Sequence, residues 1–219
     1  MPRLRVAVLL SGGGRTLANL IAQQDDTALP IDIGLVLSSK PDAGGLDIAR
    51  DAGIPTQVVD ASEFTIPGRI GESIYRWREM SREVDQYILD GGFDLVCMAG
   101  YIAFYYIPEQ LDGRVMNIHP SLIPAFCGTG MYGMRIHRAA IKSGVKVSGC
   151  TVHFVNNLYD SGPIILQRVC PVLDTDTPES LADRVFAEEI HAYPDAIRLF
   201  AEKRLTISAG RVLVSPPAI

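Results

Sequence analysis

The chain has 219 residues, of which 47% are hydrophobic, and its formal net charge at pH 7 is −5. This length and apolar content suffice for a sizeable buried core, which excludes a disordered chain. The negative charge argues against nucleic acid as a partner, because phosphate contacts require clustered lysine and arginine.

Cysteine spacing and the apolar runs indicate the compartment. The four cysteines are widely spaced and form no CxxC pair, which favours free thiols in a reducing environment over a disulfide framework or a zinc site. The longest uncharged apolar run, from Leu95 to Ile107, is shorter than the roughly 20 residues that span a bilayer. We therefore expect a cytoplasmic protein with neither a membrane partner nor a metal.

The chain opens with a predicted strand over residues 3–10, a glycine turn at Ser11–Gly14 and a helix that begins near Arg15 or Thr16. Backbone N–H groups converge at such a helix start and bind anions. Leu17 stands where a dinucleotide-binding loop needs glycine, and a GK[ST] triplet is missing from the sequence. The loop therefore favours a single phosphate group, and the alternative is a glycine turn without a ligand.

Strand and helix patterns then alternate along the chain. Strands are predicted at 31–37, 56–59 and 95–99, and helices at 47–52 and 69–89. This alternation predicts an α/β fold with a doubly wound, Rossmann-like and mostly parallel sheet. Ligands of such sheets bind beyond the carboxyl ends of the strands, so we expect Ser11–Thr16, Gly100–Tyr105 and Asn117–His119 to share one crevice.

The stretch Val115–His119 reads as a buried strand that Pro120 ends. Because side chains alternate along a strand, Asn117 and His119 project from one face. An amide donor beside an imidazole suits addition to a carbonyl group, because the amide can donate a hydrogen bond to the oxyanion and the imidazole can accept or donate a proton. The alternative interpretation is that Asn117 caps a turn and His119 is a hydrogen-bonded core histidine.

A loop at Ala125–Gly133 and a helix over 134–143 precede a strand at 147–155. The turn at 156–162 is too short for a helix, so the return strand at 163–170 is predicted to be antiparallel. We interpret His153 as a packed sheet residue. Asp160 is either a turn-forming residue or a charged partner for a catalytic group.

The last helix is predicted to begin at Thr177, its N-cap, and Pro178. Glu189 lies on one helical row with Leu181 and Val185, so it is either a ligand for a substrate amine or a carboxylate at the edge of the apolar stripe. A hairpin over 205–208 and 212–214 follows. Repeats and linkers are missing from the sequence, so we expect a single domain over residues 1–219.

Four sequence motifs together resemble one known family. They are Ser11–Gly14, Asn117–Pro124 (NIHPSLIP), Val152–Val155 (VHFV) and Asp160–Gln167 (DSGPIILQ). In this order and spacing they resemble glycinamide ribonucleotide formyltransferases of the folate-dependent formyltransferase superfamily, over nearly the whole chain. The resemblance implies formyl transfer from 10-formyltetrahydrofolate, as co-substrate, to the amine of glycinamide ribonucleotide, the third step of purine synthesis.

The resemblance also implies roles for individual residues. Asn117, His119 and Asp160 match the catalytic set, so we expect the Asp160 carboxylate close to the His119 ring and a cis peptide at Ile123–Pro124. The remaining matches fall into two groups. The substrate residues are Gly12, Gly14, Arg15 and Thr16 for the phosphate and Glu189 for the glycinamide. The folate residues are Ile102, Ala103, Phe104, Tyr105, Asn156, Asn157, Leu158 and Tyr159, acting largely by their backbone, with Arg69 for the folate tail.

Three other functions stay open. A formyltetrahydrofolate hydrolase is similar at Pro124-Ala125-Phe126, although that relative carries a regulatory domain before the first strand and this chain opens directly on its strand. A formyltransferase for another amine, such as a charged tRNA or a sugar nucleotide, would need an added domain or a basic face. A folate- or nucleotide-binding protein without turnover would not need Asn117, His119 and Asp160 together. A monomer and a homodimer are both compatible with the sequence.

Overall fold

The computed structural model describes residues 3–26, 29–64 and 73–217. The strands are β1 (Leu4–Leu10), β2 (Ile31–Ser38), β3 (Thr56–Val58), β4 (Leu95–Met98), β5 (Val115–His119), β6 (Val147–Phe154), β7 (Ile164–Pro171), β8 (Leu205–Ser208) and β9 (Arg211–Val214). The α-helices are α1 (Arg15–Asp25), α2 (Gly45–Asp51), α3 (Ser73–Gly91), α4 (Met134–Lys142) and α5 (Pro178–Ala201). Strands β1 to β7 form one sheet in the order β3-β2-β1-β4-β5-β6-β7, and β8 and β9 form a separate hairpin.

The first of two compact units, Met1–Met116, is built on parallel strands. Strand β1 pairs in parallel with both β2 and β4, and β2 pairs in parallel with β3. Residues 6–10 of β1 are fully buried, which is typical of a central strand in a parallel sheet that is covered on both faces. The strand order changes direction at β1, so the loops that follow β1 and β4 lie at a topological switch point.

The second unit, Asn117–Ile219, contains the antiparallel pair and the long C-terminal helix. Strands β6 and β7 pair from Val147↔Pro171 to His153↔Ile164. Helix α5 packs on both strands through a buried row that includes Leu181, Val185 and Tyr193. At its start the Thr177 hydroxyl accepts a hydrogen bond from the Ser180 N–H, and the Ser180 hydroxyl accepts one from the Thr177 N–H.

The predicted α/β class, the antiparallel pair and the long last helix are confirmed. The ends of the elements shift by a few residues: α2 begins at Gly45 rather than Asp47, and β7 covers Ile164–Pro171 rather than 163–170. A short 3-10 helix at Glu109–Leu111 was not predicted, because three residues carry no detectable period. The predicted start of the third helix, including Arg69, lies outside the described residues.

None of the described helices is long and apolar enough to cross a membrane.

The glycine turn after β1 yields a stability prediction with a matched control. Gly14 has φ +79°, and a Cβ added there would lie 2.6 Å from the Cα of Gly45, whereas no described atom lies within 4 Å of a Cβ added at Gly13. Gly14→Ala should therefore lower the free energy of unfolding by about 2 kcal/mol or more, through backbone strain and overlap. Gly13→Ala should change it by less than about 0.5 kcal/mol. Urea unfolding followed by circular dichroism measures both, and equal losses would contradict this account.

Candidate active site

The loop after β1 presents backbone donors at the start of α1. Gly14, in the left-handed conformation, is the N-cap of this helix and has no side chain with which to cap it. Gly12 and Gly13 are exposed, and the Arg15 side chain is exposed at the first helical position. The first-turn N–H groups, among them that of Thr16, therefore lie where an anion can approach them.

Ser11 connects this loop to the segment that follows β4. Its N–H donates to the Gly100 carbonyl at 3.1 Å, and its Oγ accepts the Ile102 N–H at 2.9 Å. The same Oγ lies 2.5 Å from the Ser39 Oγ. Two of the three loops expected at one crevice are thus joined by hydrogen bonds within the first unit.

The segment expected to contact the pterin alternates in burial. Ala103 and Tyr105 are buried, whereas Ile102 is exposed and Phe104 is half-buried. The Tyr105 hydroxyl donates to Asp85 at 2.7 Å, and burial raises the pKa of both Tyr105 and Asp85. The buried tyrosine therefore anchors the segment, and Ile102 is left exposed.

His119 lies at the end of β5 and is only 4% exposed. Its Nε2 is 3.0 Å from the Phe126 carbonyl oxygen, and its Nδ1 is 3.7 Å from Asp160 Oδ1. The expected proximity of Asp160 to the His119 ring is therefore confirmed, at ion-pair distance. Because a carbonyl oxygen only accepts hydrogen bonds, Nε2 carries a hydrogen, and Nδ1 faces the carboxylate.

The turn after His119 is held by side-chain hydroxyls. The Ile123–Pro124 peptide is cis, as the resemblance implies. The Ser121 hydroxyl donates to the Ala125 carbonyl at 2.6 Å. Thr151 on β6 donates to the Ser121 carbonyl at 2.7 Å and accepts the Ile123 N–H at 3.0 Å. These contacts fix the turn that places the Phe126 carbonyl against His119.

Asp160 lies in the turn between β6 and β7. Its φ is +47°, and its Oδ2 accepts the Gly128 N–H at 2.8 Å, so one carboxylate oxygen holds the 125–133 loop while the other faces His119. A Cβ added at Gly162 would lie 1.8 Å from the Phe154 carbonyl oxygen, so glycine permits the close return of this turn to β6. Asp160 is therefore more than a turn-forming residue: it joins the loop and the imidazole.

The rest of this turn, residues 156–159, was expected to contact folate. The Asn156 side chain accepts hydrogen bonds from the Leu158 N–H at 3.1 Å and the Ser161 hydroxyl at 3.1 Å, so it organises the turn. Leu158 and Tyr159 are exposed. Their exposure leaves apolar surface next to Asp160.

Sequence reasoning missed the contact between Asn117 and His153. The Asn117 Nδ2 lies 3.2 Å from the His153 Nε2, and the His153 Nδ1 lies 2.8 Å from the Phe154 carbonyl oxygen. Burial lowers the pKa of His153. The prediction that His153 is a packed sheet residue is correct, because the side chain is buried, but it did not include the contact with Asn117. The alternation of side chains along β6 predicts which face of the sheet His153 lies on. It does not predict which residue of another strand His153 contacts.

Two further residues of the second unit lie near His119 or in the adjacent loop. His137 on α4 is buried. Its burial lowers the pKa of His137, and the positive charge of a protonated His119 is a second, smaller cause of the same shift. Cys127 is half-buried next to Gly128. Burial is the main cause that raises the pKa of its thiol, and the negative charge of Asp160 is the second cause. A raised pKa lowers the fraction of the reactive thiolate at neutral pH.

Glu189 lies on α5, half-buried, in line with the fully buried Leu181 and Val185. Burial raises the pKa of the Cys150 thiol on β6 to about 12, and the charge of Glu189 contributes to that rise. Glu189 is therefore close enough to β6 for its charge to act on Cys150. In residues 3–26, 29–64 and 73–217, His, Cys, Asp and Glu side chains form no group of three that could hold a metal ion.

A buried imidazole beside a carboxylate, with an amide two residues earlier on the same strand of an α/β fold, is an arrangement that suits an enzyme adding a nucleophile to a carbonyl group. A model of the formyl transferase family matches residues 4–197. The chain belongs to this family.

Solved structures and relatives agree with this assignment. Glycinamide ribonucleotide transformylase 1 from Symbiobacterium toebii is 40% identical, with a TM-score of 0.83 over 97% of this chain and 94% of that one. A formyltetrahydrofolate deformylase from Pseudomonas putida is 30% identical, with a TM-score of 0.78 over 97% of this chain and 70% of that one. The chloroplastic phosphoribosylglycinamide formyltransferase of Arabidopsis thaliana is 36% identical over 207 residues, which are 93% of this chain. The match spans 67% of that plant relative's length and 62% of its Vigna unguiculata counterpart.

The two contacts of Asp160 predict different outcomes for two substitutions. Asp160→Asn retains an oxygen that accepts the Gly128 N–H but removes the charge that faces His119. Asp160→Ala removes both. We expect kcat for formyl transfer to fall about a hundredfold in Asp160→Asn, with a melting temperature close to that of the unmodified protein.

Asp160→Ala should lose at least as much activity and should also melt at a lower temperature, because the Gly128 N–H loses its acceptor. Steady-state kinetics and thermal unfolding of the pair measure both effects. If Asp160→Asn kept full turnover and only Asp160→Ala were impaired, Asp160 would act on the loop alone.

Proposed function

We propose that this protein transfers the formyl group of 10-formyltetrahydrofolate to the amine of glycinamide ribonucleotide. The observation that carries the proposal is the pairing of His119 with Asp160, at the end of the strand that also carries Asn117, in a chain of the formyl transferase family. The relatives named for glycinamide ribonucleotide or phosphoribosylglycinamide support this acceptor.

In the proposed reaction the substrate amine attacks the formyl carbon and the carbonyl oxygen becomes an oxyanion. An N–H of Asn117 donates to that oxyanion, and loss of one such donor typically costs roughly 3 kcal/mol of transition-state stabilisation. The bond from the formyl carbon to N10 of the folate then breaks, and a proton passes from the amine to N10. His119 manages this proton, and the Asp160 carboxylate stabilises the protonated imidazole.

Substrate binding accounts for the remaining site residues. We propose that Gly12, Gly14, Arg15 and Thr16 bind the phosphate, and that Glu189 orients the glycinamide end. Residues 102–105 and 156–159 contact the pterin, and Arg69 contacts the folate tail. The uncapped start of α1 and the exposed Ile102 and Leu158 support this assignment. Holding both substrates supplies much of the rate acceleration as effective molarity.

Several properties of the whole protein are part of the same proposal. We propose a single formyltransferase domain over residues 1–219, acting as a monomer or homodimer without a metal or nucleic acid. The free thiols at Cys97, Cys127, Cys150 and Cys170 support a cytoplasmic location.

A formyltetrahydrofolate hydrolase is the second candidate, because the Pseudomonas putida deformylase shares the fold at 30% identity. Spectroscopic loss of 10-formyltetrahydrofolate, measured with and without glycinamide ribonucleotide, separates the two reactions. We expect turnover to depend on the ribonucleotide, with formylated product and no stoichiometric formate. Formate release at the same rate without the ribonucleotide would assign the hydrolase reaction instead.

The phosphate loop generates a second prediction. Arg15→Ala should raise the KM for glycinamide ribonucleotide about tenfold while kcat falls less than about threefold, because a phosphate contact contributes equally in the ground and transition states. Lys40→Ala, at an exposed position after β2, is the charge-matched control and should change neither constant.

The dephosphorylated ribonucleoside completes that test. It should show a KM at least as high as that of the Arg15→Ala enzyme with the natural substrate. A ribonucleoside with the same KM as the ribonucleotide would show that the loop is only a turn.

A further inference from the structure

His153 is buried in β6, 1% exposed, and both of its ring nitrogens have partners. Nδ1 lies 2.8 Å from the Phe154 carbonyl oxygen, and Nε2 lies 3.2 Å from the Asn117 amide nitrogen. Asn117 itself is the proposed oxyanion donor. A buried imidazole therefore contacts the side chain that binds the oxyanion in the proposed reaction.

The donors and acceptors allow one consistent arrangement. The Phe154 carbonyl oxygen only accepts, so the hydrogen of the neutral ring is on Nδ1. Nε2 then carries a lone pair and accepts an N–H from the Asn117 amide. A cationic ring would present N–H on both sides and could not accept that bond.

The charged surroundings of His153 favour the neutral ring. Burial is the largest effect and lowers the pKa of His153, and a protonated His119 lowers it further. The Phe154 hydrogen bond and the Asp160 carboxylate act in the opposite direction but do not reverse the shift. The acceptor at Nε2 is therefore present at neutral pH.

The Asn117 amide can in principle rotate by half a turn, which exchanges its nitrogen and oxygen. In the rotated state the Oδ1 would face the Nε2 lone pair of the buried ring, an acceptor against an acceptor, which is unfavourable in this part-buried contact. The observed state leaves the second N–H of the same nitrogen for another acceptor. The contact with His153 thus selects the amide orientation that keeps this N–H.

We propose that His153 is a positioning residue that fixes the Asn117 amide for oxyanion binding through its Nδ1–H tautomer. This inference rests on the proposed function, because the oxyanion is that of the formyl group. His153 does not touch the reacting atoms and acts only through Asn117. Its effect should therefore appear in kcat rather than in the KM of either substrate.

Two substitutions at position 153 separate positioning from packing. His153→Leu keeps apolar volume but removes the acceptor, and we expect kcat to fall at least tenfold with each KM changed less than about threefold. His153→Gln retains an oxygen acceptor near the position of Nε2 and should keep kcat within about fivefold of the unmodified enzyme. Ser148→Ala, another buried polar residue of β6, is the control and should leave both constants unchanged.

A double-mutant comparison tests whether His153 acts through Asn117. If it does, His153→Leu added to Asn117→Ala should lower kcat by less than about twofold, because the amide that it positions is already gone. Losses that multiply, or a His153→Leu enzyme with unchanged kcat, would overturn the proposal. If His153→Leu does not fold, the same comparison is made with His153→Gln. A kcat of His153→Gln that is as low as that of Asn117→Ala would contradict the acceptor role of His153.

Long-range proton–nitrogen spectra of the imidazoles give a readout that does not depend on turnover. We expect the Nδ1–H tautomer of His153 from pH 6 to 8, and the other tautomer or the cation would contradict the proposal. The two proposals fail differently. A wild-type enzyme that releases formate without using the ribonucleotide contradicts the proposed function, whereas the His153 tautomer and the Asn117 dependence can still be measured in that reaction.

Discussion

The burial of His119 is the constraint on which the rest of the second unit depends. An imidazole that is 4% exposed must find its hydrogen-bond partners within the protein, because an unpaired buried polar group costs about 1–3 kcal/mol. One partner, the Phe126 carbonyl, is placed by a residue with φ +51°, and the other, Asp160, has φ +47°. Both are conformations that non-glycine residues seldom adopt. Backbone strain is thus present in the turn after β5, at Phe126, and in the turn after β6, at Asp160, where each turn contacts the His119 imidazole.

Sequence periodicity was sufficient to predict the class of fold and the position of Asn117 and His119 at the end of β5. Alternating strand and helix patterns predicted the parallel strands, and side-chain alternation with Pro120 placed Asn117 and His119 together. The position of Asp160 rested on the resemblance, because an aspartate in a turn has a local explanation. The contact between Asn117 and His153 could not be predicted, since it depends on which residues of two strands lie side by side. The roles of Glu189 and Arg69 remain predictions, and Arg69 lies outside the described residues.

Polar groups in the first unit serve a different purpose. Ser11, Tyr105 and Ser81 each use a hydroxyl to hold a neighbouring segment: Ser11 accepts the Ile102 N–H, Tyr105 donates to Asp85, and Ser81 accepts the Tyr106 N–H. These contacts organise backbone rather than present side chains. The proposed folate segment takes part in two of these contacts, through Ile102 and Tyr105, and its Ala103 and Tyr105 are buried.

The two buried imidazoles of the second unit show how the same residue type acquires two functions. Each donates one N–H to a backbone carbonyl, but from opposite nitrogens: Nε2 in His119 and Nδ1 in His153. The remaining nitrogen of His153 meets an amide N–H, a partner that requires a lone pair and so keeps the ring neutral. The remaining nitrogen of His119 lies 3.7 Å from a carboxylate oxygen of Asp160. The proposed reaction uses His119 for proton exchange and His153 for the positioning of Asn117. The proposed division between proton transfer and positioning follows from the partner of the remaining nitrogen in each ring, a carboxylate for His119 and an amide for His153.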